Sequence, residues 1–137
     1  MRLFTILLAL CQKVGAIADY IVDEYIYEGL SVNWRVQKYQ SGKMTIESIG
    51  LITQNIDYTS AIGVMYSGTY TLTLATSMVS TVPFIVDCNT MENSGATFWG
   101  TTTAQNGQDK IELMFVRPLQ GSNVRTQHSI KLTGAWK

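Results

Sequence analysis

The stretch WRVQKYQSGKMTIES, residues 34–48, holds two runs of β-forming side chains that meet at Ser41-Gly42, a tight-turn pair. With Ser41 and Gly42 as the loop, Tyr39 stands opposite Met44, Gln37 opposite Ile46, and Arg35 opposite Ser48. The other face then carries Trp34 with Ile49, Val36 with Glu47, and Lys38 with Thr45. Both faces are mixed, whereas a hairpin with one face in a core and one in water alternates more sharply. Lys38 and Glu47 are diagonal neighbours in this register, placed to pair. Trp34, opposite Ile49, is the expected apolar anchor.

Beyond the hairpin, the chain after Gly29 is made of short runs rich in Val, Ile, Thr, Tyr and Phe, divided by Gly, Ser and Asn. The runs predict strands at 32–40, 43–52, 63–74, 82–87, 96–103, 110–116 and 127–136. YTLTLAT (70–76) alternates well, with Tyr70, Leu72 and Leu74 on one face and threonines on the other. Residues 87–95, 104–109 and 119–127 read as loops, and Asn106-Gly107 as a tight turn joining 96–103 to 110–116. Strands this short, with turns this frequent, predict an antiparallel β-sandwich or jelly-roll-like barrel.

Upstream the period changes. Leu3, Leu7, Leu10, Val14, Ile17 and Ile21 are spaced alternately four and three apart, which fills every core position of three heptads. The mixture of residues at the two core positions does not select a parallel dimer, and three strands fit it at least as well. A secretory signal is a second reading, with Arg2 as the charged start, Leu3 to Cys11 as the apolar block and Val14-Gly15-Ala16 as the cleavage site. A helix packed on its own domain is a third. A signal is indifferent to phase, and here the phase persists past that cleavage site to Ile21. The expected layout is therefore a helical stem over 1–28, a trimeric coiled coil, followed by a β head over 29–137.

Composition narrows the function. Of 137 residues, 46% are apolar and 15% charged, with ten acids balancing ten bases. A neutral chain without a basic cluster lacks the phosphate-neutralising surface that nucleic-acid binding requires. The expectation is no nucleic acid and no membrane. Cys11 and Cys88 lie far apart in different kinds of segment and read as isolated buried thiols. One histidine and no Cys-x-x-Cys argue against zinc, and Asp87, Asn89 and Glu92 are too sparse for a calcium loop. No metal or cofactor is expected. His128 stands alone on a terminal strand, and no nucleophile motif or phosphate loop is present, so the chain is read as non-enzymatic. A ligand site is sought instead in ATFWGTTTAQNGQDK (96–110). Trp99 offers a stacking face there, and Gln105, Asn106 and Asp109 offer planar polar groups beside a turn. Trp99 in a strand fits a core role as well.

The segment ADYIVDEYIYEGLSVNWRVQKYQSGKMTIESIG (18–50) resembles a pattern of tail-fibre, baseplate and minor structural proteins of phages and prophages of Gram-positive bacteria. There a short acidic segment precedes a Trp, a Lys-aromatic pair and a Ser-Gly turn, matched here by Trp34, Lys38-Tyr39 and Ser41-Gly42. The closing KLTGAWK, with Gly134 and Trp136, is similar to the terminal strand of those proteins. The family often carries Glu-Cys-Trp on the second strand, where this chain has Glu47-Ser48-Ile49. The resemblance implies a homotrimeric, fibre-borne head in the virion tail, made in the bacterial cytoplasm. Its partners would be other tail or baseplate proteins and a host cell-surface saccharide. One face of the hairpin would pack in its own sandwich and the other against neighbouring subunits. A secreted carbohydrate-binding or adhesion module with a signal peptide is the alternative.

Overall fold

A computed structural model describes residues 5–7, 19–92 and 100–137, with 91–92 and 100–106 as backbone only. The decisive hairpin is there, but one residue out of the expected register. β2 (Asn33–Tyr39) and β3 (Lys43–Ile49) pair Trp34 with Ser48, Val36 with Ile46, and Lys38 with Met44. The loop is Gln40-Ser41-Gly42, three residues rather than two. The Gly42 N–H donates to the Tyr39 carbonyl at 3.0 Å, and Gly42 takes φ 98°, the left-handed position that a three-residue loop needs.

That single residue reverses the reading of both faces, because side chains alternate with a period of two. Trp34, Val36, Met44 and Ile46 share one face and are fully buried, while Arg35, Lys43 and Glu47 are exposed on the other. The mixed hairpin was a product of the assumed loop length. Lys38 and Glu47 lie on opposite faces, so the expected pair does not form. Instead the Lys38 ammonium stands 5.8 Å from the centroid of the Tyr25 ring. Ile49 faces Asn33 and is exposed, and Trp34 is anchored by an indole N–H to the Leu30 carbonyl at 3.2 Å.

The run read as one strand over 43–52 breaks at Gly50, φ 88°, and resumes as β4 (Ile52–Tyr58), a strand absent from the sequence reading. β3 and β4 lie end to end along one edge of β10 (Gly121–Ala135), pairing with its residues 131–135 and 121–128 respectively. β7 (Ile85–Glu92) takes the other edge, along residues 126–133. With β1 (Ile21–Tyr27) beside β2, these strands complete the larger sheet. The chain then crosses at Thr59 into a smaller sheet in the order β5 (Ser60–Ile62), β6 (Met65–Thr73), β9 (Lys110–Arg117), β8 (Gly100–Asn106). Every pairing among the described residues is antiparallel.

One core joins the two sheets. β10 contributes Val124, Thr126, His128, Ile130 and Leu132, the smaller sheet Leu72, Ile111, Leu113 and Phe115, and Met78 and Phe84 close one end. Gly68 marks a close approach of the sheets. A Cβ there would overlap the Ile56 side chain and lie 2.6 Å from the Asp57 carbonyl oxygen.

The fold is thus mainly β and antiparallel, as expected, but the boundary of the stem is not. Ile21 opens β1 and is exposed, so a helix cannot run to residue 28. Residues 5–7 are helical with Leu7 exposed, and no coiled coil is shown; Leu3, Leu10, Val14 and Ile17 fall outside the described residues. The loops read at 87–95, 104–109 and 119–127 are also partly strand, occupied by β7, β8 and β10.

Candidate functional site

Asp19, Tyr39, Ser41, Gly42 and Trp136 meet at one end of the larger sheet. Where the chain enters, Gln40 N–H donates to the Tyr20 carbonyl at 2.9 Å, and Ser41 N–H to Asp19 Oδ1 at 3.0 Å. The Ser41 hydroxyl donates to Asp19 Oδ2. Where β10 ends, Trp136 N–H donates to the Gly42 carbonyl at 2.9 Å, and its indole N–H to the Tyr39 carbonyl at 2.8 Å. Lys43 lies over the Tyr39 ring at 4.2 Å and Lys137 over the Trp136 ring at 5.0 Å. The hydrogen bonds from Ser41, with help from Lys43 and Lys137, hold the Asp19 carboxyl below its ordinary value. Tyr39, Ser41, Gly42 and Trp136 therefore build the junction through which the chain enters and leaves the sandwich.

The expected ligand turn is built as framework. Phe84 N–H donates to the Gly107 carbonyl, Ser80 N–H to that of Gln108 and Leu74 N–H to that of Asp109, at 3.0, 2.9 and 2.7 Å. The Gln108 side-chain amide donates to the Thr81 carbonyl at 3.0 Å. Residues 80 and 81 are tied in turn to Ala135, through Ser80 Oγ at 3.0 Å and Thr81 N–H at 2.9 Å. The turn thus sits at the junction end of the sandwich rather than the far one. Asp109 is exposed there; Trp99 and the side chains of Gln105 and Asn106 lie outside the described residues.

A different polar site opens on the outer face of the larger sheet. The register places Arg35, Glu47, Lys131 and Asp87 in one row across β2, β3, β10 and β7, with signs alternating. Between β3 and β4 the ladder is interrupted, and the Ile130 N–H donates to Ser48 Oγ at 3.0 Å instead of to a carbonyl. A cleft of about 150 Å³ lies at this interruption, lined by Glu47, Ser48, Asp87, Asn89, Ser129 and Lys131. Among the described residues the one ion pair within 4.0 Å joins Arg35 to Glu24, at 3.9 Å. The Lys131 ammonium is therefore not held by either flanking carboxylate. The sequence reading placed Arg35, Glu47 and Ser48 in the hairpin and weighed Asp87 and Asn89 only as a rejected calcium loop, and it brought none of them together as a site. The signal that reveals them is cross-strand register, which local pattern does not carry.

Inside the sandwich, His128 is fully buried between Tyr70 and Phe115, at ring separations of 5.1 and 5.0 Å, and neither ring nitrogen has a hydrogen-bond partner. Burial lowers its pKa to about 4, so at neutral pH it is an uncharged aromatic filling the core. Arg117 is buried nearby in sequence terms, its guanidinium 5.3 Å from the Tyr58 ring, whose hydroxyl shares a 2.8 Å hydrogen bond with Thr126. Cys88 is half-buried in β7, and Cys11 falls outside the described residues. Among the described residues, no three His, Cys, Asp or Glu side chains converge as a metal site, and no helix is long and apolar enough to cross a membrane.

Comparison with known protein families, with curated proteins and with solved structures found no match.

Proposed function

We propose that this chain is the head domain of a phage or prophage tail-fibre or baseplate protein, a non-enzymatic trimer that attaches the virion to a host cell-surface saccharide. The observation that carries the proposal is the junction. The chain enters at Asp19 and leaves at Trp136 beside the same Tyr39–Gly42 turn. A domain held at one end presents its opposite end and its outer faces to whatever it meets. Tyr39, Ser41, Gly42 and Trp136, four of the residues quoted for the tail-fibre resemblance, build this end, which fits a head carried on an upstream stem. In the proposed assembly Leu3, Leu7, Leu10, Val14 and Ile17 form the seam of that stem. Ile21 is omitted from it because it begins a strand. Three equal sites on one rigid assembly turn weak individual binding into avidity.

Sedimentation of the full chain, together with its binding to intact Gram-positive cells, tests the proposal. A trimer that binds cells, and an Leu10→Asp variant that falls apart and loses that binding, is the expected result. A monomeric wild type, or a trimer that binds no cell, overturns it.

A further inference from the structure

We infer that the cleft between β3, β7 and β10 is a saccharide subsite for a neutral pyranose ring. This inference rests on the attachment reading and adds to it the place and the ligand class. The cleft exists because the β3–β4 run breaks at Gly50, which leaves the centre of β10 without a continuous neighbour on that edge, while β7 pairs along the other. Ser48 Oγ accepts from the Ile130 N–H, so this backbone donor is satisfied although the ladder is interrupted there. The geometry is that of a recess built into a sheet, not a gap between loops. Its walls stand on paired strands and need not be ordered when a ligand arrives.

The chemistry of the lining selects the ligand. Adjacent strands are about 4.8 Å apart, so Glu47 and Asp87, on either side of β10, have their Cα atoms roughly 10 Å apart. A six-membered sugar ring fits that span with hydroxyls directed at both sides. Each carboxylate can accept from two adjacent hydroxyls. The Asn89 amide can both donate and accept, and Lys131 donates to a ring or hydroxyl oxygen from the centre of the recess. Two carboxylates against one ammonium leave an excess of negative charge, which disfavours phosphate- or carboxylate-bearing ligands. The volume of about 150 Å³ suits one ring rather than a chain of them. Among the described residues no aromatic side chain lines the recess to stack on the ring, so the groups described there bind a sugar weakly.

The test is an amide NMR titration of the full chain with methyl α-glucopyranoside, methyl β-galactopyranoside and N-acetylglucosamine. Glycerol 3-phosphate and N-acetylneuraminic acid serve as anionic comparators. At least one neutral sugar should shift the amides of Glu47, Asn89, Ser129 and Lys131 saturably, with a Kd of about 1–50 mM. The anions should not. The isosteric pair Glu47→Gln and Asp87→Asn, both at exposed positions, should keep the amide spectrum of a folded domain and weaken the sugar at least about tenfold. No saturable shift from any neutral sugar, shifts confined to other residues, or equal affinity in the double variant overturns the inference. Cell binding by that double variant separates the two proposals. Undiminished binding discards the cleft and keeps attachment, whereas a sugar-binding cleft on a wild type that binds no cell discards attachment alone.

Discussion

The Asp19 carboxylate receives both hydrogen bonds that Ser41 can donate, one from its backbone N–H at 3.0 Å and one from its hydroxyl. Twenty-two residues separate the two, and the contact fastens the entry of the chain to the β2–β3 turn. Because the hydrogen bonds depress the Asp19 pKa, the contact is present above the ordinary value of 3.8 and is lost as pH falls through the lower folded value. Asp19→Asn should speed hydrogen exchange at the Ser41 amide while leaving the Val36 amide, deep in the hairpin, unchanged. Equal exchange at Ser41 in the two proteins would show that the contact does not hold the turn.

His128 sets a pH dependence of opposite origin. Its folded pKa of about 4 lies below the ordinary 6.5, so the folded state resists the proton that the unfolded chain takes up. Its penalty is absent well above pH 6.5, grows as pH falls toward 4, and is constant below. The full loss is on the order of 3.5 kcal/mol, the fall from 6.5 to about 4 taken at about 1.4 kcal/mol per tenfold change in proton affinity. Urea unfolding at pH 7 and pH 4.5 should show most of that difference in the wild type. A His128→Leu variant should show much less of it.

Trp34 is the largest fully buried side chain of the hairpin, and its N–H is satisfied by Leu30. Trp34→Ala should cost about 3–5 kcal/mol in the midpoint of chemical unfolding, from lost burial and the cavity left behind. Trp34→Phe keeps most of the ring and loses the hydrogen bond, and should cost about half as much or less.

Gly68 stands where β6 passes β4, and a methyl group there meets the Ile56 side chain and the Asp57 backbone at once. The Ile56 side chain can turn aside but the backbone cannot. Gly68→Ala should destabilise by about 2 kcal/mol or more. By contrast, alanine at Gly63 meets open space, and only its φ of 59° opposes the change. Thermal unfolding of the two variants side by side gives the comparison, and equal melting temperatures would refute it.

The β character of the chain was legible because period-two runs survive in YTLTLAT and in the strand ends. The register was not. Whether Gln40 belongs to the strand or the loop depends on Gly42 taking a positive φ and on Asp19 and Trp136 holding the turn from distant parts of the chain. Residues 21–27 continue the helical spacing through Ile21 yet form a strand, because Tyr25 and Tyr27 can lie along Val36 and Trp34 at the sheet edge. Tertiary pairing overrides local period there. Gly121-Ser122-Asn123 reads as a loop, and the structure agrees to the extent of a register shift and a φ of 57° at Asn123, but the ladder with β4 runs through it. The row of Arg35, Glu47, Lys131 and Asp87 was invisible for the same reason as the register, since its members come from four strands spread over about a hundred residues.

β10 is the shared neighbour of β3, β4 and β7, and all three precede it in the chain; Lys43 waits about 90 residues for Ala135. On the ribosome, then, the larger sheet has no centre until its latest strand emerges. Until that moment the β3–β4 run and β7 present open edges and the apolar faces of Ile46, Ile52 and Ile56 to solvent. Closure must follow synthesis of β10 and proceed through long-range contacts, the slow kind to form. A nascent chain stalled before residue 121 is a template for aggregation, and its yield in a cell should depend on chaperone supply more than on the stability of the finished domain.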